Sequence, residues 1–216
     1  MSNAIFIKNI HKQVIKLKIY NNYMAKLHFF YSTMNAGKST ALLQSNHNYK
    51  ESNLKTMLFI PEELKEKSEC KIISRIGLEA KAIIADKKYN FLEEIKKNNP
   101  KEISCIFVDE AQFLSKEQVH NLGQVADELS IPVMCYGIRT DFQGKLFEGS
   151  KELLAIADNL RELKTICSEC NKKATMVVRL DENGKVVTSG KKVLIGGNDI
   201  YKTVCRKHFK ELINST

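Results

Sequence analysis

Short unbroken apolar runs alternate with apolar residues at helical spacing over the first three quarters of this chain. The runs at 27–31, 56–60, 103–108 and 131–138 have few polar interruptions, as expected of strands covered on both faces. Between them, residues 40–49 predict a helix with Leu42 and Leu43 facing inward. Asn90 and Glu93 have capping-box-like spacing at a helix start carrying Phe91, Leu92 and Ile95, and Pro100 lies beyond its end. Ser115 and Gln118 repeat the cap ahead of Val119, Leu122, Val125 and Leu129. Pro61 closes the 56–60 run, the charged stretch 62–70 predicts a mobile loop, and 80–85 predicts one more strand. Strand and helix in alternation predict an α/β fold with a mostly parallel sheet.

The pattern changes near residue 165. Cysteines come in pairs, and Asp181-Glu182-Asn183-Gly184 predicts a hairpin turn between Val177-Val178 and Val186-Val187. The expected division is an extension over 1–23, an α/β unit over 24–164 and a small unit over 165–216. There is no internal repeat.

Composition narrows the reading. At 216 residues and 43% hydrophobic, the chain can bury a proper core, which excludes a disordered protein. No apolar run approaches the ~20 residues of a membrane helix. The net charge is +9, of which Lys8, Lys12, Lys16 and Lys18 supply +4 in an acid-free start. The remaining excess suits an anionic small molecule but is not a nucleic-acid footprint. Residues 1–23 lack a secretory cleavage site and the arginines of a transit peptide. They read as a dispensable extension ahead of Met24, and the expected location is the cytoplasm.

Three motifs carry chemistry. Ser32-Thr33-Met34-Asn35-Ala36-Gly37-Lys38-Ser39 follows a strand and precedes a helix, as a phosphate-binding loop does. Gly37 lets the backbone approach a phosphate, Lys38 brings a point charge, and Ser39 offers a hydroxyl to magnesium. Ser32 stands where the full pattern has its first glycine. Next, the run 103–108 ends in Asp109-Glu110. Asp109 is placed to hold magnesium opposite Ser39, and Glu110 to take a proton from an attacking hydroxyl. Third, Cys167-x2-Cys170 and Cys205-x2-His208 suit a tetrahedral, closed, structural zinc site. Cys70, Cys105 and Cys135 are scattered, and His11, His28, His47 and His120 have no partner pattern.

In this order the motifs resemble the thymidine kinases of the zinc-containing P-loop type, bacterial branch. The markers are Met34-Asn35-Ala36-Gly37-Lys38-Ser39-Thr40, Val108-Asp109-Glu110-Ala111-Gln112-Phe113 and Tyr136-Gly137-Ile138-Arg139-Thr140-Asp141-Phe142. Ile195-Gly196-Gly197 with Tyr201 and Val204-Cys205-Arg206-Lys207-His208 complete the set. The resemblance implies a RecA-like P-loop core with a small zinc-binding domain and a lasso loop, roughly residues 176–203. It implies transfer of the γ-phosphoryl group of ATP, with Mg2+, to the 5′-hydroxyl of thymidine, Glu110 being the general base. ATP would sit on residues 32–39 and Asp109. Met34, Phe113, Ile138, Phe142 and Phe147 match the pocket around the base. Leu194, Ile195 and Gly196 would read the pyrimidine edge, and Tyr201 would pack on the nucleoside.

A homotetramer, feedback inhibition by dTTP and acceptance of deoxyuridine are further implications. One departure is that many relatives carry an Asp-x-Arg group after the second strand. This chain has Leu64-Lys65-Glu66-Lys67 there, and Arg75 in Ser74-Arg75-Ile76-Gly77 has no assigned role. The alternatives are a P-loop ATPase acting on nucleic acid through a zinc-ribbon module, and a zinc module with a decayed ATP site that only binds partners.

Overall fold

The computed structural model describes residues 24–64, 70–191 and 200–215. In chain order the first elements are β1 (Leu27–Ser32), α1 (Lys38–Glu51), β2 (Lys55–Pro61), β3 (Lys71–Ile73), β4 (Glu79–Lys81) and β5 (Ile83–Ala85). Then come α2 (Phe91–Lys97), β6 (Ile103–Val108), α3 (Lys116–Leu129), β7 (Val133–Ile138), α4 (Glu148–Ile156) and β8 (Asn159–Glu162). The last are β9 (Thr165–Ile166), β10 (Lys173–Ala174), β11 (Met176–Leu180), β12 (Val186–Val187), β13 (Tyr201–Val204) and α5 (Arg206–Asn214).

Six strands form one sheet in the order β5-β2-β6-β7-β1-β8, every neighbour parallel. Both faces are covered, which is why its central strands read as near-continuous apolar runs. One face buries Phe29, Phe59, Ile106 and Val108 against Phe91 and Ile95 of α2, Val119, Leu122 and Val125 of α3, and Leu153 of α4. The other buries Leu58, Ile60, Phe107 and Tyr136 against Leu42 and Leu43 of α1 and Ile72 of β3. Each such side chain contributes about 1.5–3 kcal/mol on burial. Phe59, Tyr89 and Phe91 meet edge to face with centroids 5.1–5.7 Å apart. The helix starts form as their sequences predict. Asn90 Oδ1 accepts from the Glu93 N–H at 3.1 Å, and Ser115 with Gln118 closes a reciprocal capping box.

Two expectations are corrected. Residues 80–85 are not one strand. β4 pairs antiparallel with β3 as a hairpin, whereas β5 joins the sheet parallel to β2. Between them the Ala82 N–H donates to Cys70 O, so the chain changes partner there. The run 131–138 begins pairing only at Val133, because Pro132 has no N–H to give; its carbonyl still accepts from Ile106 N at 2.9 Å.

Beyond β8 the elements are small. β9 and β10 form an antiparallel pair, and β12-β11-β13 an antiparallel sheet. The turn before β12 has Gly184 at φ 75°, with Asp181 Oδ1 accepting from the N–H groups of Asn183 and Lys185. Among the described residues this part's own cluster is small, Cys167, Ala174, Val178, Val204 and Cys205, while Val177 and Tyr201 pack with Phe142. Arg139 donates to Thr175 O at 3.2 Å and Gln143 to Thr188 O at 2.9 Å, tying it to the end of β7. No helix among the described residues is long and apolar enough to cross a membrane. Residues 1–23, Leu194, Ile195, Gly196 and the 65–69 part of the charged loop lie outside the described residues.

Candidate active site

The loop between β1 and α1 turns through two left-handed residues, Asn35 (φ 60°) and Gly37 (φ 71°). Gly37 immediately precedes α1, so the first amides of that helix face the loop. Lys38 is buried and folds back to donate to Thr33 O at 2.7 Å. Burial lowers its pKa, while the neighbouring Glu110 and Asp109 charges act to raise it and Arg75 to lower it. Ser32 does not face the cavity. It ends β1, its Oγ donates to Leu163 O at 2.6 Å, and its φ is not positive, so the position does not demand a glycine.

The acid pair ends β6. Because β7 lies between β6 and β1, this end sits one strand from the loop, and α1 brings Ser39 back across the gap. Ser39 Oγ donates to Asp109 Oδ2 at 2.7 Å. Burial above all, then the Glu110 charge, pushes Asp109 up to about 7, against the hydrogen bonds from Ser39 and the Glu110 N–H and the attraction of Lys38. A hydroxyl and a carboxylate oxygen side by side are the donors a small hard cation takes, so Ser39 and Asp109 fit magnesium. Glu110 has φ 50°, ψ 37°, a left-handed conformation uncommon for a side chain of this size. Its Oε2 accepts from Gln112 Nε2.

These groups surround a cavity of about 520 Å³. Its polar lining includes Asn35, Lys38, Ser39, Thr40, Arg75, Glu110, Gln112 and Asp141. Its apolar lining includes Met34, Phe113, Ile138, Phe142, Phe147, Val177 and Tyr201. Lys38 and Glu110 thus open on the same space. Ser32, Thr33 and Asp109 stand behind the surface, whereas Met34, Asn35, Ala36, Gly37, Lys38 and Ser39 form it. The six aromatic or aliphatic pocket candidates within the described residues all line it. Phe113 and Phe147 meet edge to face at 5.7 Å, and Phe142 packs with Val177, Tyr201 and Met34.

Sequence reasoning missed several residues. Ile73, Arg75 and Ile76 reach the cavity from the tip of the β3–β4 hairpin. A hairpin turn held by Ser74 and Gly77 carries them there. Val177 arrives on β11, and Arg179 braces the wall from behind. The Arg179 guanidinium is buried, lies 3.8 Å from the Phe142 ring centroid, and donates to Lys191 O and Ser189 O at 2.6 and 2.8 Å. Of these, only Arg75 is marked out in the sequence, within Ser74-Arg75-Ile76-Gly77, and without a role.

At the other end of the small unit, ligand atoms of Cys167, Cys170, Cys205 and His208 all lie within 4.8 Å of one another. Cys167 Sγ and Cys205 Sγ are each 3.4 Å from His208 Nδ1. A tetrahedral zinc with ordinary bond lengths needs S···N separations of roughly 3.5 Å, so the set fits that ion. Burial opposes ionisation of Cys167, but hydrogen bonds from His208 and backbone N–H groups outweigh it and bring the thiol down to about 6.

The model of the thymidine kinase family matches residues 25–209. A thymidine kinase of Rhodopirellula baltica is 53% identical over 193 residues, covering 88% of this chain and 90% of that protein. Thymidine kinases of Haemophilus influenzae and Shewanella oneidensis are each 53% identical over 189 and 191 residues. Those alignments cover 87% and 88% of this chain, and 97% and 99% of the relatives. Among solved structures, AMPPCP-bound DnaA from Aquifex aeolicus has a TM-score of 0.38 at 16% identity. It covers 72% of this chain and 46% of that one, a likeness too slight to inform the site. With its phosphate loop, acid pair and Cys/His cluster within the matched span, the chain belongs to the thymidine kinase family.

Proposed function

We propose that this protein transfers the γ-phosphoryl group of ATP to the 5′-hydroxyl of thymidine, giving dTMP and ADP. The observation that carries the proposal is a single cavity lined by both Lys38 and Glu110, with Ser39 and Asp109 joined beside it at 2.7 Å. Phosphoryl transfer asks a protein for positioning and charge neutralisation rather than covalent chemistry. Residues 33–39 cradle the triphosphate, and Lys38 leaves Thr33 O to meet its outer oxygens. Ser39 and Asp109 hold magnesium, which when bound neutralises phosphate charge. Glu110 accepts the 5′-hydroxyl proton as the hydroxyl oxygen bonds to the γ-phosphorus. The bond to the β–γ bridging oxygen breaks, and its electron pair leaves with ADP.

Met34, Phe113, Ile138, Phe142, Phe147 and Tyr201 enclose the base and sugar. By the family resemblance, Leu194, Ile195 and Gly196 read the pyrimidine edge. Cys167, Cys170, Cys205 and His208 hold a structural zinc that cross-links the lasso's root. The chain divides near residue 164; this is supported by β8 being the last strand of the large sheet, after which the described strands β9–β13 pair only among themselves. A cytoplasmic homotetramer inhibited by dTTP follows the family resemblance.

The test is a nucleoside panel with ATP and magnesium. Thymidine should be phosphorylated fastest, deoxyuridine accepted, and deoxycytidine and deoxyadenosine left largely unreacted. No thymidine phosphorylation, with ATP hydrolysis stimulated by DNA, would favour the nucleic-acid ATPase instead.

A further inference from the structure

We propose that Gln112 is a positioning residue that aims the Glu110 carboxylate into the cavity. The inference rests on Glu110 being the base. A glutamate side chain has three torsions, yet a base must come within about 3 Å of the proton it takes. Something must hold it.

The amide of Gln112 has a partner at each end. Oε1 accepts from the Ile138 N–H at 3.0 Å, and Nε2 donates to Glu110 Oε2. The orientation of the amide is not arbitrary. A backbone N–H can only donate, so the oxygen must face Ile138 and the NH2 must face the carboxylate. Gln112 is only 2% exposed, so water has little access to its amide.

The surroundings make the clamp rigid. The 111–113 turn is pressed between β7 and α4 by two glycines. A Cβ on Gly137 would stand 2.8 Å from Gln112 Oε1, and one on Gly149 would stand 2.3 Å from Ala111 O. A larger residue at Gly149 would strike backbone, and one at Gly137 would displace the Gln112 amide. Ile138 is itself held from its other side, because buried Ser150 of α4 donates to its carbonyl at 2.6 Å. On the backbone side, Asp109 Oδ1 accepts from the Glu110 N–H at 3.0 Å and so supports the left-handed turn. One chain of contacts therefore runs from α4 through Ile138 and Gln112 to the carboxylate. Ile138 also lines the cavity, so the wall and the base share one support.

A purely structural glutamine would serve only the Ile138 N–H, and Gln112→Glu separates the two roles. One of its oxygens still accepts from Ile138, but the other is an acceptor pressed against the Glu110 carboxylate. We expect kcat to fall about 100-fold, with the KM values for thymidine and ATP within about threefold, while the second buried carboxylate lowers the melting temperature. Gln112→Asn, neutral but one methylene too short to reach both partners, should lose about 10-fold in kcat with both KM values within about threefold. Glu110→Gln is measured in parallel. If it is inactive while both Gln112 variants keep kcat within about twofold, the clamp is refuted and the base stands. Should Glu110→Gln stay active, the reading of the base fails and takes the clamp with it. Failure of both Gln112 variants to fold would assign the residue to the fold and overturn the proposal.

Discussion

The phosphate-facing and apolar walls of the cavity are built in different ways. The first comes from one contiguous loop and the end of one interior strand, on a sheet buried on both faces. The second is collected from the 111–113 turn, the end of β7, Phe142 and Phe147 beyond it, and single residues of β11 and β13. Those two strands belong to a part whose own apolar cluster is small and includes two thiols of the candidate metal site. Chemistry thus rests on a core held by apolar area, and recognition on a ribbon held by a few polar ties and a ligand cluster. The two should therefore fail separately.

The largest expected effect lies on the chemical side. Glu110→Gln should lower kcat by about 10²–10⁴-fold, the usual worth of a general base, with ATP affinity within about threefold. Steady-state kinetics and calorimetric ATP titration check it, and comparable losses in both would erase the contrast between the walls. On the other side, removing metal by chelation, or changing Cys170→Ser, should weaken thymidine binding about 10-fold or more. ATP binding and the main melting transition should survive. Full thymidine affinity in metal-free protein would show that the ribbon needs no such brace.

A smaller effect is expected at Arg179. Arg179→Met keeps much of the packing but loses the stacked charge and its hydrogen bonds to 189 and 191. Thymidine KM should rise roughly 5- to 30-fold, corresponding to about 1–2 kcal/mol, with kcat changing less. An unchanged KM would detach Arg179 from the wall.

The smallest effect is one of stability. Asp109 is raised from 3.8 to about 7, mainly by burial. In nucleotide- and magnesium-free protein the folded state keeps a proton that the unfolded chain releases above its ordinary pKa. The stabilisation is complete below about pH 4 and is lost as pH rises through about 7. Asp109→Asn should flatten that part of a denaturation profile, and an identical slope in the variant would exclude Asp109 as its source.

Much of the chemical side was legible because its residues are neighbours in sequence. The loop 32–39 and the pair Asp109-Glu110 can be read without knowing which strands adjoin. Cap pairs and unbroken apolar runs are equally local, which is why α2, α3, β1 and β6 agree with their sequence patterns. The 80–85 stretch misled because Ala82 marks a change of partner that periodicity cannot register. Arg75, Val177 and Gln112 were illegible for a related reason. An arginine on a hairpin tip, a valine on a ribbon and a glutamine after an acid pair look ordinary until distant strands bring them to one cavity.

The order of residues by itself determined the alternating α/β architecture, the phosphate loop, the acid-ended strand and the four metal-ligand candidates. Each depends on spacing over a few residues, where backbone geometry and side-chain chemistry act directly. Only the tertiary structure decided that Ser32 turns away, that Gln112 spans Ile138 and Glu110, and that Arg179 stacks on Phe142. Those contacts join residues up to 131 positions apart. The Ser32 and Ile138 contacts exist because a parallel sheet places strand ends together that the sequence keeps far apart, and the Arg179 contact because β11 of the antiparallel sheet packs beside the segment after β7.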